Sequence, residues 1–472
     1  MNAPGGAGSL PLRHVLAYAA PGLAYALFVP PFPAILATFY ATYTTAGTAA
    51  IATVLLLTRV TDAFVDISIG YASDATRTRI GARKPWMIGG TLVGMAAFVV
   101  AFHPPADAGI GWFILAVVLY YLTIGTFDIP WRSWAGELAT DYAERSRLAA
   151  YLTLTLLVGG VAFLLLPNLL ALPVLGIVET AAFDRRMMAI LGWAGIIALP
   201  LLVLPALLFV PHGAGPRVAT TPISALLRAA RGNRPFWILA AADVCTQLAW
   251  GITYGVMFIA LDRYWGLGAQ IALLLLVATF AQILVVPACM AAARRFGKHR
   301  TWGWSSILGA VAGMSFLLVP PDGPANFGLI MVLIAVVSAL GTPNMIFPMA
   351  IVNDIADYDR LRSGENRNGS YYALRLLIYK AAFAIGGSIG LYLLAAVGFD
   401  PRLETHSEFA RHGLLFTMVV LPNLLFVAAG VVLLRFPIDA RRHAVIRRRI
   451  EAREARSLRE SAAAPGAGTP VE

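Results

Sequence analysis

The chain repeats one pattern about a dozen times: a run of roughly 20 apolar residues, then a short polar loop. At 1.5 Å rise per residue, such a run as a helix matches the ~30 Å hydrocarbon core of a bilayer. The spans centre near residues 28, 57, 95, 121, 158, 197, 247, 279, 310, 338, 383 and 424. Hydrophobic residues make up 59% of the 472 and charged residues only 13%, too little polar surface for a soluble globule of this size. The fold class expected is therefore an all-α membrane protein with twelve transmembrane helices. The first span follows Arg13 and His14 but outlasts a signal-peptide core and ends at no clean cleavage site, so it is read as an uncleaved helix.

Lysine and arginine placement sets the expected orientation. With the N-terminus inside, 27 of the 36 fall in cytoplasmic segments and only Arg185, Arg186, Arg263, Arg402 and Arg411 fall outside. Both termini are thus expected in the cytoplasm, with the chain in the plasma (inner) membrane. The longest internal loop, from Pro211 to Pro235, carries four prolines and four arginines and divides six spans from six. The organisation predicted is a six-helix half over 1–210, a central cytoplasmic loop over 211–235, a second half over 236–437 and a basic tail over 438–472. Two loops repeat at a spacing of 216: Arg79 to Trp86 against Arg295 to Trp302, and Asp141-Tyr142 against Asp357-Tyr358. Duplicated halves suit alternating access around a midplane site, though a purely structural duplication leaves the same trace.

Charges inside the spans are the functional clue. They are the acids Asp62, Asp66, Asp128 and Asp243 and the bases Arg59, Arg132, Arg375 and Lys380. An ionised side chain near the bilayer centre costs roughly 2.5–3.5 kcal/mol, so eight unpaired charges would exceed the stability of a typical protein. They must pair, face water or, at span ends, snorkel. Asp62 and Asp66 lie one turn apart, about 40° around a helix, with Arg59 three residues before Asp62. Paired carboxylates offer hard oxygens to a small cation, and their mutual repulsion lets a proton substitute. The alternative, in which Arg59 merely neutralises Asp62 as a helix tie, stays open.

Several activities are excluded. No histidine faces another at metal-ligand spacing within a span, so a membrane-embedded haem or zinc enzyme is not expected. No Walker A motif is present, so neither is ATP-driven transport by this chain alone. Cys245 and Cys289 both lie in apolar spans and give no disulfide framework. The net charge of +11 comes from loops and tail and needs no nucleic-acid partner. The tail suits either a lipid-surface helix drawn to anionic headgroups or plain charge that fixes topology.

The stretch Arg59-Val-Thr-Asp62-Ala-Phe-Val-Asp66, then Gly70-Tyr-Ala-Ser-Asp74 and Arg77 to Trp86, resembles the glycoside–pentoside–hexuronide:cation symporters of the major facilitator superfamily. So do Asp128-Ile-Pro130, Asp354-Ile-Ala-Asp357-Tyr358-Asp359, and Gly369 to Ala373 leading to Lys380. The resemblance spans both halves in order. It implies the twelve-helix major facilitator fold, a non-enzymatic symporter, and no cofactor beyond a coupling H+ or Na+. Asp62 and Asp66 would bind that cation, as metal ligands if it is sodium, and Lys380 would approach them from the other half. Asp128 would face the substrate cavity with Trp131 and Arg132 beside it. Arg59, Gly70, Asp74, Arg77, Arg83 and Lys84 would form a cytoplasmic gate.

Departures from the family pattern bear on both ligands. Sodium-using relatives place an asparagine where this chain has Val65, which favours a proton. Melibiose permease-like members carry an acid, an arginine and a tryptophan where Ala26, Thr153 and Arg132 stand here, so a galactoside-type site does not carry over. Asp243, opposite Leu27 in the repeat and one turn before Gln247, could supply a substrate-facing carboxylate; a tie to an arginine is the alternative. The expected function is cation-coupled symport of a sugar, glycoside or sugar acid by a monomer whose partners are that small molecule and the surrounding lipid. The rivals are an amphiphile or lysolipid carrier, favoured by an apolar cavity with a lateral opening, and a non-transporting receptor on the same fold.

Overall fold

The computed structural model describes residues 10–28, 35–139, 142–212, 230–321, 323–365, 367–403 and 405–463; some side chains within its helices, 59–64 among them, lie outside that description. Among the described residues there is helix and no strand. That is what lipid demands, since a helix pairs its amides within one segment.

The first half comprises α1 (Leu12–Ala19), α2 (Pro21–Phe28), α3 (Ala37–Tyr43), α4 (Thr48–Ala75), α5 (Lys84–Phe102), α6 (Ile110–Leu138), α7 (Tyr142–Leu170) and α8 (Arg185–Phe209). The second comprises α9 (Arg234–Ile259), α10 (Ile271–Phe296), α11 (Lys298–Met314), α12 (Gly323–Gly341), α13 (Pro343–Ser363), α14 (Asn368–Ala396), α15 (Glu408–Leu415) and α16 (Leu421–Leu434). A tail helix, α17 (Ala440–Ala463), follows.

Among the described residues, ten helices are long and apolar enough to cross a membrane. The expected count of twelve is not reached by length and composition alone, for two local reasons. The first span is divided into α1, α2 and α3, and 29–34 lie outside the described residues. The second is one helix of 28 residues whose side chains at 59–64 lie outside the described residues, so only Thr48–Thr58 stands as its apolar stretch. Most of the predicted central loop, 213–229, also lies outside the described residues.

Helix starts are marked by side-chain caps: Asp184 accepts from the Met187 amide, Asn233 from Phe236 and Ser407 from Ala410. Glycines 81 and 297, at the 216-residue spacing, both have positive φ (97° and 91°) and introduce α5 and α11 with the same backbone turn.

The halves touch along α4 with α14, α7 with α10 and α3 with α9. On the face away from the termini they share one core, in which Phe39 and Tyr40 belong with Phe258, Trp265 and Phe399. There Thr53 of α4 and Tyr392 of α14 join their hydroxyls at 2.7 Å. On the terminal face the second half has its own core, around Phe236, Trp302, Phe347 and Tyr371. The tail helix closes that core with Ile446 and Ile450. The two halves are thus sealed at one face and separately packed at the other.

Candidate functional site

α4 and α14 bring together residues 314 positions apart: Lys380 Nζ donates to Asp66 Oδ2 at 2.6 Å. Asp66 lies nine residues from the terminal-face end of α4, about 14 Å deep at 1.5 Å per residue. Its side chain is 19% exposed and that of Lys380 42%, so the pair is reachable by a small solute. The other oxygen, Oδ1, is buried with no hydrogen-bond partner among the described residues. It faces Gly125 of α6, where a side-chain carbon would come within 3.7 Å. This is a carboxylate with one oxygen committed to Lys380 and the other buried. Asp62 and Arg59 share α4, but their side chains lie outside the described residues, so the expected carboxylate pair has only its helical register.

On α6, Arg132 Nε bonds Asp128 Oδ1 at 2.6 Å, and the guanidinium stacks 5.5 Å from the Tyr25 ring centroid. Tyr25 was not singled out in the sequence, although it precedes Ala26, where the family's acid is missing. Trp131 takes a different place from the one expected. It is fully buried, its indole N–H donates to the Tyr18 carbonyl at 3.0 Å, and the Tyr18 hydroxyl returns a bond to the Trp131 carbonyl at 3.2 Å. With its donor spent and no accessible surface, Trp131 ties α1 to α6 and cannot stack on a substrate in this conformation.

Asp243 is likewise withdrawn from any substrate here. It is 0% exposed, and Arg375 of α14 grips both its oxygens, Nη2 to Oδ1 at 3.2 Å and Nε to Oδ2 at 3.0 Å. Gln247, one turn on, contributes a long 3.4 Å contact to the same carboxylate. The arginine tie is the arrangement found. A fully buried charge needs a partner, and Arg375 supplies one hydrogen bond, to Oδ1, with a charge contact to Oδ2.

The predicted gate is a cluster at the terminal-face ends of α4, α5 and α6. Buried Arg83 contacts Asp74 at 2.6 Å, Glu137 at 2.7 Å and the Ser73 hydroxyl at 2.8 Å. Lys84 donates to the Leu207 carbonyl at 2.7 Å and lies 5.6 Å from the Trp134 ring. Arg77 bonds the carbonyls of Asp74 and Thr76, and Gly70 faces Ile129 at ordinary contact distance. Glu137 was missed because its role depends on α6 ending beside Arg83, which no local spacing reveals. Every one of these contacts lies within the first half. In the second half, Lys298 pairs with Asp354 at 2.5 Å, and His443 of the tail helix lies 3.0 Å from Asp357.

Between the halves lies a chamber of about 1150 Å³, walled by α7, α9 and α10 with residues such as Leu157, Phe163, Tyr254 and Leu275. Thr279, Gln282 and Ser338 supply its polar side chains; Asp66, Asp128 and Lys380 are not on its wall. Among the described residues no group of three or more His, Cys, Asp or Glu is placed to hold a metal.

Residues 17–440 match the family described as MFS/sugar transport protein. The glucuronide carrier protein homolog of Escherichia coli (strain K12) is 25% identical over 415 residues, covering 85% of this chain and 87% of that one. The putative glycoside/cation symporter YagG of the same organism is 24% identical and covers 92% and 93%. Among solved structures, the nucleoside transporter NupG superposes with a TM-score of 0.60 at 11% identity, over 90% of this chain and 99% of that one. The helices, their two-half arrangement and these likenesses identify an integral membrane transporter rather than an enzyme. The chain belongs to the MFS/sugar transport protein family and, within the major facilitator superfamily, to the glycoside–pentoside–hexuronide:cation symporters.

Proposed function

We propose that this chain is a twelve-helix secondary active symporter that moves a sugar, glycoside or sugar acid together with a cation by alternating access. The observation that carries this reading is the Asp66–Lys380 pair, an ion pair deep in the molecule whose two members belong to different halves. Without a cation, the lysine compensates the carboxylate and holds α4 to α14. A cation arriving at the exposed part of the Asp66 carboxylate competes with Lys380 for it. Freed of that bond, the halves can reorient, and coupling follows from the different stabilities of the loaded and unloaded forms.

Proton coupling is favoured over sodium. A proton needs one carboxylate, whereas sodium needs several oxygens, and the neighbours Val65 and Gly125 offer none from their side chains. With both termini in the cytoplasm of the inner membrane, the face where the halves pack separately is the cytoplasmic one, so this is an inward-facing form.

Uptake into proteoliposomes tests the reading, with radiolabelled glucuronate and methyl glucosides under an imposed proton or sodium gradient. A gradient should drive accumulation in the native protein, and Asp66→Asn should abolish it while substrate still binds. Val65→Asn should add sodium stimulation. Ligand binding with no accumulation under either gradient would instead support a receptor, and accumulation that survives in Asp66→Asn would overturn the coupling assignment.

A second reading, an amphiphile carrier, draws support from one feature. The interhalf chamber is walled mainly by aliphatic and aromatic side chains, which offer few hydrogen bonds to sugar hydroxyls.

A further inference from the structure

The second half contains another chamber, part-open and about 840 Å³ with the space at its mouth included, lined by α9, α11, α12 and α16 with the start of α13. It shares Trp250, Met257, Leu261, Ile334 and Ser338 with the interhalf chamber, so the two are adjoining rooms with a common wall. Among the described residues no Asp, Glu, Lys or Arg lines it. Its polar side chains include Ser305, Ser306, Asn344 and Asn423, all buried. Much of that capacity is already committed: Ser306 and the Trp302 indole both donate to Asn344 Oδ1, and Asn423 donates to the Val419 carbonyl at 2.8 Å. A free sugar here would leave several hydroxyls unsatisfied, each at the cost of a buried unpaired polar group. An alkyl or aryl group would meet Trp250, Ile334 and Leu340 at no such cost. At Gly309, on the wall, an added side-chain carbon would make only an ordinary 3.4 Å contact with Leu340.

We infer that this side chamber is a subsite for an apolar arm of the transported molecule, whose polar head occupies the interhalf space beside Thr279 and Gln282, the groups there that can meet its hydroxyls. The inference rests on the symporter reading and deepens it: the substrate is a glycoside carrying an alkyl or aryl aglycone rather than a free hexose. Ser338 and Trp250 stand where the arm passes from one chamber to the other.

Binding of n-alkyl β-D-glucosides, methyl to octyl and below their micellar concentrations, to the full chain in nanodiscs tests this without requiring transport. Affinity should rise about fourfold per methylene buried until the chamber is filled. A glucoside brominated at the end of a hexyl chain should quench tryptophan fluorescence, and Trp250→Phe should remove most of that quenching. Gly309→Leu, which narrows the chamber, and Ser338→Leu, at the junction, should flatten the rise with chain length. Leu308→Ala, on the exposed side of α11 (54% exposed), should keep it. Affinity indifferent to chain length, or quenching unchanged by Trp250→Phe, would overturn the subsite. If n-alkyl phosphocholines bind with the same chain-length gain while no glucoside binds, the chamber stands and the sugar reading falls.

Discussion

Three buried or half-buried ion pairs look alike as lists of charges but differ in what they do. Asp243–Arg375 is sealed inside the second half, whereas Asp66–Lys380 is partly accessible and joins the two halves. Breaking a sealed pair strands a charge and costs about 3–5 kcal/mol, while an accessible pair is worth about 1 kcal/mol or less. Asp243→Asn should therefore lower the thermal unfolding midpoint sharply and reduce folded yield. Lys380→Ala should leave the midpoint nearly unchanged yet abolish gradient-driven accumulation. Thermal unfolding and uptake measured on both variants check this; equal destabilisation would mean the two pairs are both structural. Asp128–Arg132 is intermediate, a within-helix pair whose arginine rests on Tyr25. The sequence supplied all of these charges, but not the pairing of 243 with 375 and of 66 with 380.

At the scale of elements, Lys380 is held in place by the way α14 packs on α9. On one side of it, Arg375 is tied to Asp243; on the other, Gly386 and Gly387 meet Gly251 and Gly255, and Gly390 meets Ile252 and Val256. The approach is backbone to backbone. A side-chain carbon at Gly251 would lie 2.0 Å from the Phe383 carbonyl oxygen, and one at Gly386 would lie 2.4 Å from that of Leu248. Neither carbonyl can yield without moving its helix. Gly251→Ala should push α14 away from α9, destabilising the second half and misplacing Lys380, seen as a fall in both unfolding temperature and uptake. Gly309→Ala, with space around it, should do neither, and tolerance of Gly251→Ala would show that the seam is slack. Glycines four apart on both helices were visible in the sequence, although no close-packing role was read from them. Which pair of helices they would join was not visible, because each stripe is compatible with several partners.

At the scale of the molecule, the halves share a core on one face only, and the Thr53–Tyr392 contact marks that seal. In a background with Cys245 and Cys289 replaced by serine, Thr53→Cys with Tyr392→Cys should be bridged by a short bismaleimide that stands in for the tyrosine ring. The bridge should stop uptake, and uptake unaffected by complete bridging would mean that this face never opens. The tail helix is a docked element, contrary to the expectation of a free or lipid-surface segment. Ile446 and Ile450 are buried in the second half's core, His443 and Arg447 reach Asp357, and Arg441, Arg448 and Arg449 remain exposed. Hydrogen exchange should find amides 446–450 protected, with protection falling in Asp357→Asn. Free exchange in the native protein would contradict docking.

Span length, the biased distribution of lysine and arginine, and charges too costly to leave unpaired in lipid already specified an all-helical membrane transporter from the sequence alone. These are local properties, and the bilayer penalises their violation wherever the helix sits. Tertiary structure alone decided which charges meet, that Trp131 and Asp243 are packed away, that Glu137 joins Arg83, and that apolar chambers form without Asp66, Asp128 or Lys380 on their walls. Those outcomes depend on which helix faces pack together, and contacts between residues on distant helices leave no periodicity in the chain from which to read them.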